Sequence, residues 1–356
     1  MPLASFKALK LSATGGGRTR GNLYARLALA LALLGPSLFA FADQPVADAP
    51  KDTPPPQVDI QTRKKQDNGV QTQSRPADIK VTKELVLINV TVTDPLNRFV
   101  TGLERDNFRL FEDKKEQAIS AFSSEDAPIS IGLVFDTSGS MGSKLQKSRE
   151  AAADFFQTAN PEDEFFLVCF SDRPDLAIPF TRDTDKVQST LTFRQSKGRT
   201  ALLDGVYLAM NQMKQAHNPR KALLIISDGG DNSSRYTESE VKNKVREADV
   251  QIYAIGIFEP AASRGRTPEE AMGPGLLTDL AEQTGGRAYA VENPAELPDI
   301  AAKIGVELRN EYILGYTPKN QERDGKYRRV QVKLVQPRGL PPLKAIFRLG
   351  YYAPSH

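Results

Sequence analysis

The sequence predicts an α/β protein in which a doubly wound, mostly parallel sheet with helices on both faces is inserted into a small β-sandwich. Nearly continuous apolar runs such as residues 129–135 are typical of strands covered on both faces, and such runs alternate with helical patterns as far as residue 291. Outside this region, residues 86–122 and 312–349 alternate apolar and polar side chains with a period of two. Neither of these outer sets has enough strands to build a core alone, so we expect them to pair with each other.

Residues 1–42 are predicted to be a secretory signal peptide. They contain five basic residues and no acidic residue, and they include the apolar stretch 27–41. Ala40 and Ala42 supply the small side chains that signal peptidase reads, so we expect cleavage after Ala42 and a secreted or periplasmic mature chain. The apolar stretch is shorter than the roughly 20 residues of a transmembrane helix and contains a Gly-Pro pair, so no transmembrane span is expected in the mature chain.

The next two segments are predicted to be a linker and the first part of the sandwich. Residues 43–77 carry six prolines among polar side chains and should form a disordered, extended linker. Residues 78–128 contain an alternating strand at 86–93. They also contain a predicted hairpin, in which 108–111 pairs with 118–122 through a charged turn.

The central domain is predicted to span residues 129–292. Its apolar runs predict strands at 129–135, 164–171, 222–227, 250–258 and 287–291. The intervening patterns predict helices at 143–159, 200–215, 237–248 and 275–284. This alternation requires crossover connections and therefore a mostly parallel sheet.

Residues 293–356 are predicted to form a helix and the C-terminal part of the sandwich. The helical pattern lies near 294–310, and three strands follow around 312–316, 330–334 and 345–349. The alternative arrangement is two separate hairpin appendages on the α/β domain.

Composition excludes several classes of site. The chain has two histidines, one cysteine and no tryptophan, so a Cys/His zinc site, an iron–sulfur cluster and a disulfide framework are all excluded. Cys169 lies within an apolar run and is expected to be a buried, inert thiol. The formal net charge of +3 is no sign of nucleic-acid binding, because cleavage after residue 42 would remove five basic residues.

Oxygen-bearing side chains follow the predicted strands where a ligand site is expected. In an open α/β sheet, ligands bind beyond the carboxyl ends of the strands. The first central strand runs into Asp136, Ser138 and Ser140, Thr200 lies at a helix start, and Asp228 follows the strand at 222–227. Two carboxylates and three hydroxyls are hard ligands that favour Mg²⁺, with Mn²⁺ or Ca²⁺ as alternatives, and they offer nothing to soft metals.

This pattern resembles the metal-ion-dependent adhesion site of von Willebrand factor type A domains. The resemblance implies that Ser138, Ser140 and Thr200 bind one metal ion directly. It also implies that Asp136 and Asp228 bind it directly or through water. A glutamate or aspartate carboxylate of a protein partner would complete the metal's coordination shell.

The resemblance extends beyond the site. It covers residues 129–292, and the signal peptide, flanking strands and segment 311–318 are similar to those of exported bacterial von Willebrand factor A-related proteins. The second metal site of some integrin subunits is not implied, because residues 141–144 contain no carboxylate.

Three functions remain open from the sequence. The leading prediction is an exported, non-enzymatic module for adhesion or assembly that binds a protein carboxylate through the metal ion. A metal-assisted hydrolase of envelope polymers is the second. The third is a structural scaffold in which the same Asp and Ser residues are turn and cap residues of an inactive metal site. No nucleic-acid partner is expected, and the oligomeric state is left open.

Overall fold

The computed structural model describes residues 85–258, 268–337 and 339–355. The predicted signal peptide and linker, residues 1–42 and 43–77, lie outside the described residues. The predicted fold class is confirmed, because a mostly parallel sheet with helices on both faces is inserted between the strands of a β-sandwich.

The strands fall into three groups along the chain. The first group precedes the central sheet: β1 (Val86–Thr93), β2 (Phe108–Glu112), β3 (Lys115–Gln117) and β4 (Ile119–Ser123). The second builds the central sheet: β5 (Ile129–Asp136), β6 (Glu164–Phe170), β7 (Pro174–Thr181), β8 (Arg220–Ser227), β9 (Gln251–Ile257) and β10 (Ala288–Val291). The third follows it: β11 (Tyr312–Tyr316), β12 (Tyr327–Leu334), β13 (Lys344–Phe347) and β14 (Gly350–Tyr352).

The α-helices all lie between the first and last groups of strands. They are α1 (Leu145–Gln157), α2 (Thr184–Phe193), α3 (Leu202–Gln212), α4 (Glu238–Glu247), α5 (Pro268–Glu282) and α6 (Leu297–Arg309). Within the described ranges, none of these helices combines the length and the apolar character needed to cross a membrane.

The central sheet has the strand order β10-β9-β8-β5-β6-β7. All pairs are parallel except β6 and β7, which pair antiparallel at one edge. Every residue of β5 is buried, as expected for a strand with a helix layer on each face. The carboxyl ends of β5, β6 and β8 therefore meet at one edge of the sheet, which we call the metal-site edge because predicted metal ligands follow β5 and β8.

Separate apolar layers cover the two faces of this sheet. One layer contains Phe155 of α1, Leu191 of α2 and Ile304 of α6. The other contains Val206 of α3 and Val241 of α4. Helices on both faces leave the ends of the strands as the exposed part of the sheet, which is where parallel sheets place ligand sites.

The β-sandwich combines strands from both ends of the described chain. One sheet has the order β13-β1-β11-β4 and the other has the order β14-β12-β2-β3. Their facing side chains form one core that includes Ile88, Leu110, Tyr312 and Val330. Each sheet mixes early and late strands, so the alternative of two separate hairpins is wrong.

The predicted pairing of 108–111 with 118–122 is wrong. Strand β2 pairs instead with β3, through a two-residue turn in which Asp113 and Lys114 both have positive φ. A turn of this kind fixes the register immediately after it and matches the natural twist of a hairpin. The chain then crosses to the other sheet, where β4 pairs antiparallel with β11.

Two elements between residues 171 and 200 have no counterpart in the sequence prediction. Strand β7 contains two prolines, and it is tolerated because it is an edge strand that pairs only with β6. Helix α2 begins at a recognisable signal, since the Asp183 side chain accepts a hydrogen bond from the Lys186 N–H at 2.9 Å.

A buried polar cluster joins the sandwich to the central domain at the edge opposite the metal-site edge. Glu311, immediately before β11, accepts hydrogen bonds from Arg220 at 2.9 Å and from Gln251 at 2.6 Å. Gln251 in turn accepts a hydrogen bond from Asn89 of β1 at 2.8 Å. Because Arg220 and Gln251 begin β8 and β9, these bonds fix the sandwich to the amino ends of the central strands.

Candidate metal centre

Asp136 ends β5 and organises the loop that follows. Its side chain is fully buried, and both carboxylate oxygens accept hydrogen bonds. Oδ1 accepts from the Ser138 N–H at 2.8 Å, which is an Asx turn, and Oδ2 accepts from the Ser227 hydroxyl at 2.6 Å. Asp136 thus links the ends of neighbouring strands β5 and β8 at the metal-site edge.

The loop after Asp136 brings two hydroxyls together. The Ser138 and Ser140 hydroxyl oxygens lie 3.1 Å apart, with Ser138 buried and Ser140 exposed. A single 3₁₀ turn at Gly139–Met141 follows Ser138 and leads towards α1. The spacing of two residues therefore does place these side chains side by side, as the sequence predicted.

The segment that carries Thr200 packs directly on this loop. The Gly139 N–H donates to the Gly198 carbonyl at 3.0 Å, and the Lys197 N–H donates to the Thr137 carbonyl at 2.9 Å. Thr200 is 4% exposed. Among the described residues, no hydrogen bond joins its side chain to the other four predicted ligands, so the backbone contacts bring it to this edge.

Asp228 follows β8 and has one oxygen without a partner. Its Oδ2 lies 3.4 Å from the Lys144 ammonium, and the two side chains are 4% and 11% exposed. Its Oδ1 is buried and accepts no hydrogen bond from the described residues. The next residue, Gly229, has a φ of +78°, and a Cβ there would lie 2.8 Å from Gly273, so only glycine fits this turn.

The burial of Asp136 and the charge of Asp228 change the acidity of Asp136. Burial, and secondarily the negative charge of Asp228, raises the pKa of Asp136 to about 7, although hydrogen bonds from Ser138 and Ser227 oppose this shift. A cation close to Asp136 would oppose this shift and stabilise its ionised form.

These residues fit a small hard cation. The unpartnered Asp228 Oδ1 supplies a buried negative oxygen, and the paired Ser138 and Ser140 hydroxyls supply two neutral oxygens. In the described part of the chain, no three His, Cys, Asp or Glu side chains cluster so as to hold a metal ion. A cation here would therefore depend on hydroxyl oxygens as well as carboxylates, which suits Mg²⁺ and not a soft metal.

Two nearby aspartates serve the loops. Asp204 accepts hydrogen bonds from the N–H groups of Arg235 and Tyr236 at 2.8 and 3.0 Å. Asp231 accepts from the backbone of its own turn and of α3. Backbone donors occupy Oδ1 of Asp204 and both oxygens of Asp231, so these side chains organise the loops around the site.

Sequence reasoning missed Ser227 and Lys144. Ser227 is the last residue of a predicted strand and precedes Asp228. Nothing in the local sequence indicates that its hydroxyl donates to Asp136. Lys144 reaches Asp228 across 84 positions of the chain, so its role depends on the fold.

In the part of the chain that the structure describes, no serine at this edge has a histidine partner. His217 contacts Glu164 at 2.8 Å, and Glu164 begins β6 at the opposite edge of the sheet. Cys169 is buried, which raises the pKa of its thiol to about 12 and keeps it protonated.

Comparison with known proteins agrees with this architecture. Residues 131–230 match the family model of the von Willebrand factor type A domain. An uncharacterized protein of Borreliella burgdorferi is 25% identical over 184 residues, which are 46% of this chain and 54% of that protein. Human inter-alpha-trypsin inhibitor heavy chain H4 is 27% identical over 141 residues, which are 36% of this chain and 15% of that protein.

Among solved structures, the von Willebrand factor type A protein from Catenulispora acidiphila superposes with a TM-score of 0.45 and 13% identity. This superposition covers 68% of this chain and 73% of that one. The chain spans about half the length of the Borreliella burgdorferi relative and 15% of the human one.

The family match covers the region in which the site was built above. Residues 131–230 include nearly all of β5, the whole of β6 to β8, and all five predicted ligands. The order and direction of the central strands agree with the α/β fold that the sequence predicted. Residues 131–230 of the chain therefore match a von Willebrand factor type A domain.

Proposed function

We propose that this protein is an exported, non-enzymatic binding module that holds a protein partner through one Mg²⁺-type ion. The observation that carries the proposal is the buried, unpartnered Oδ1 of Asp228 at the edge where Ser138 and Ser140 pair their hydroxyls. The family match supports a role in protein binding and adhesion. Export and cleavage after Ala42 are part of the proposal.

Each ligand residue has a defined part in it. Ser138, Ser140 and Thr200 would offer neutral hydroxyl oxygens, and Asp228 would offer Oδ1. Asp136, whose oxygens already hold the Ser138 N–H and the Ser227 hydroxyl, orients the loop and acts through water. When bound, the ion supplies a Lewis-acidic centre that attracts a carboxylate of the partner.

Neutral ligands explain why a partner's carboxylate is needed. Three hydroxyls do not reduce the charge of a divalent ion, and one oxygen of Asp228 reduces it only in part. An ion held in this way keeps a strong attraction for another anion. The proposed partner therefore contributes an aspartate or glutamate side chain.

The proposal is tested by titrating the purified chain with Mg²⁺ in a calorimeter and by capture from the native envelope. We expect saturable Mg²⁺ binding and a captured protein that a chelator releases. Asp136→Ala and Thr200→Ala should each lose both. Thr192→Ala, which changes an exposed threonine on α2, should keep both. Capture that survives the chelator and both site substitutions would contradict the proposal.

Lys144→Met should tighten Mg²⁺ binding by about tenfold. The Lys144 ammonium lies 3.4 Å from Asp228 Oδ2, so it repels a cation bound at the same carboxylate. The substitution should also lower the thermal midpoint of the metal-free protein, since Asp228 loses its partner. Lys147→Met is the matched control, because Lys147 pairs with Glu150 on the surface of α1. Unchanged or weaker Mg²⁺ binding by Lys144→Met would show that the ammonium does not compete.

A further inference from the structure

Four exposed basic side chains lie in the loops of the metal-site edge. Among the described residues, none of the four has a hydrogen bond, ion pair or ring contact through its side chain. We call this set the basic ring: Arg173, Lys197, Arg199 and Arg235. These cations lie in three separate loops of one edge, and no contact within the described part of the chain accounts for them.

Backbone hydrogen bonds hold the loop of Lys197 and Arg199 close to the candidate metal centre. The Lys197 N–H donates to the carbonyl of Thr137, which lies between two of the predicted ligands in the chain. Arg199 directly precedes Thr200, and its N–H donates to the Asp172 carboxylate at 2.8 Å. This second bond ties the loop to the turn that carries Arg173.

The loop of Arg235 is fixed to the same edge. The Asn232 N–H donates to the carbonyl of Thr200 at 3.0 Å, and the Arg235 N–H donates to Asp204 at 2.8 Å. Asp204 lies four positions after Thr200 in the chain. The loops that carry the basic ring therefore converge around the predicted ligands.

Most acidic side chains at this edge are buried or half-buried. Asp136, Asp204 and Asp228 are 0%, 8% and 4% exposed. Asp231 is half-buried, and three backbone N–H groups donate to it. The exposed Asp172 accepts the Arg199 N–H. The acids are thus engaged with their own loops, whereas the bases extend towards solvent.

We propose that the partner of the candidate metal centre is an acidic protein segment, in which the metal-binding carboxylate is flanked by further aspartate or glutamate side chains that pair with the basic ring. This inference rests on the proposed function and names the class of partner. One exposed ion pair contributes little, but several around a central contact steer association and determine which partner is accepted. Three of the four cations are arginines, which bind carboxylates through two parallel hydrogen bonds.

Two synthetic peptides test the inference on the full chain in Mg²⁺. Both carry one central glutamate, which is flanked by glutamates in the first peptide and by glutamines in the second. We expect the first peptide to bind about tenfold more tightly at low salt, as four weak surface pairs together allow. Its advantage should shrink as added salt shortens the Debye length below about 10 Å.

Two quadruple alanine variants test whether the basic ring causes the preference for the acidic peptide. The ring variant replaces Arg173, Lys197, Arg199 and Arg235, and it should bind both peptides equally. The control variant replaces four cations at the opposite edge of the same domain: Arg182, Lys186, Lys214 and Lys221. It should keep the preference for the acidic peptide, and thermal unfolding should show that both variants are folded.

The outcomes separate this inference from the proposed function. Equal binding of the two peptides, or a preference that the ring variant retains, would overturn the inference. Failure of both peptides to bind would overturn it as well. A preference that depends on the ring but survives a chelator would support the acidic partner and contradict the proposed metal centre.

Discussion

Asp228→Ala should abolish Mg²⁺ binding and lower the free energy of unfolding of the metal-free protein by about 3 kcal/mol. The loss of binding follows from the loss of the buried Oδ1, which is the predicted anionic ligand with no other partner among the described residues. The loss of stability follows because the Lys144 side chain is only 11% exposed and would lose its counterion. Calorimetric Mg²⁺ titration and denaturant unfolding measure the two effects.

A double variant separates these two effects. Asp228→Ala combined with Lys144→Met removes both charges, and replacing a buried ion pair by apolar groups is often neutral for stability. We expect the double variant to recover most of the lost free energy of unfolding without recovering Mg²⁺ binding. If the double variant were as unstable as Asp228→Ala alone, the unpaired Lys144 would not be the cause. Wild-type Mg²⁺ affinity in either variant would exclude Asp228 as a ligand.

Glu311→Ala should lower the free energy of unfolding by about 3–5 kcal/mol. The Glu311 side chain is fully buried and is the nearer anion to Arg220, whose side chain is 6% exposed. It also accepts hydrogen bonds from Gln251 at 2.6 Å and Tyr253 at 3.3 Å. Alanine would leave the buried guanidinium with only the longer 3.9 Å pair to Asp126 and would remove the bonds that Glu311 accepts from the central domain. Denaturant unfolding measures this loss of free energy.

A surface ion pair is the matched control for Glu311. Glu116 pairs with Arg109 at 2.8 Å in the sandwich, but both side chains are about half exposed. Glu116→Ala should therefore change the free energy of unfolding by less than about 1 kcal/mol. Under conditions where Glu311→Ala remains folded, its Mg²⁺ affinity should be unchanged, because Glu311 lies at the opposite edge of the sheet. Similar losses in the two variants would show that burial does not determine the effect.

Much of the fold could be predicted because its signals are local. The continuous apolar run of β5 indicates a strand covered on both faces, and the alternation in β1 indicates one buried face. The errors fall where pairing is not local. Nothing in residues 119–123 indicates that β4 leaves its neighbour β3 and pairs with β11, about 190 positions later. The proline-containing edge strand β7 lacks an apolar run, because one of its sides faces no other strand.

The candidate site shows the same division. Asp136, Ser138 and Ser140 were predicted together because their spacing of two is a local property, and the structure brings the two serine hydroxyls to 3.1 Å. Thr200 and Asp228 were added from a rule about parallel sheets, and both lie at the predicted edge. Their role as metal ligands stays a prediction.

The sequence by itself determined the α/β alternation, the flanking sandwich strands and the oxygen-rich residues at the strand ends. Each of these depends on neighbours within a few positions or on a general rule of sheet topology. Only the tertiary structure decided that Lys144 lies against Asp228, that Glu311 joins the two parts of the chain, and that the basic ring surrounds the site. Each of these contacts joins residues that are distant in the chain. Two of them are buried ion pairs, and the fold determines which residues form them.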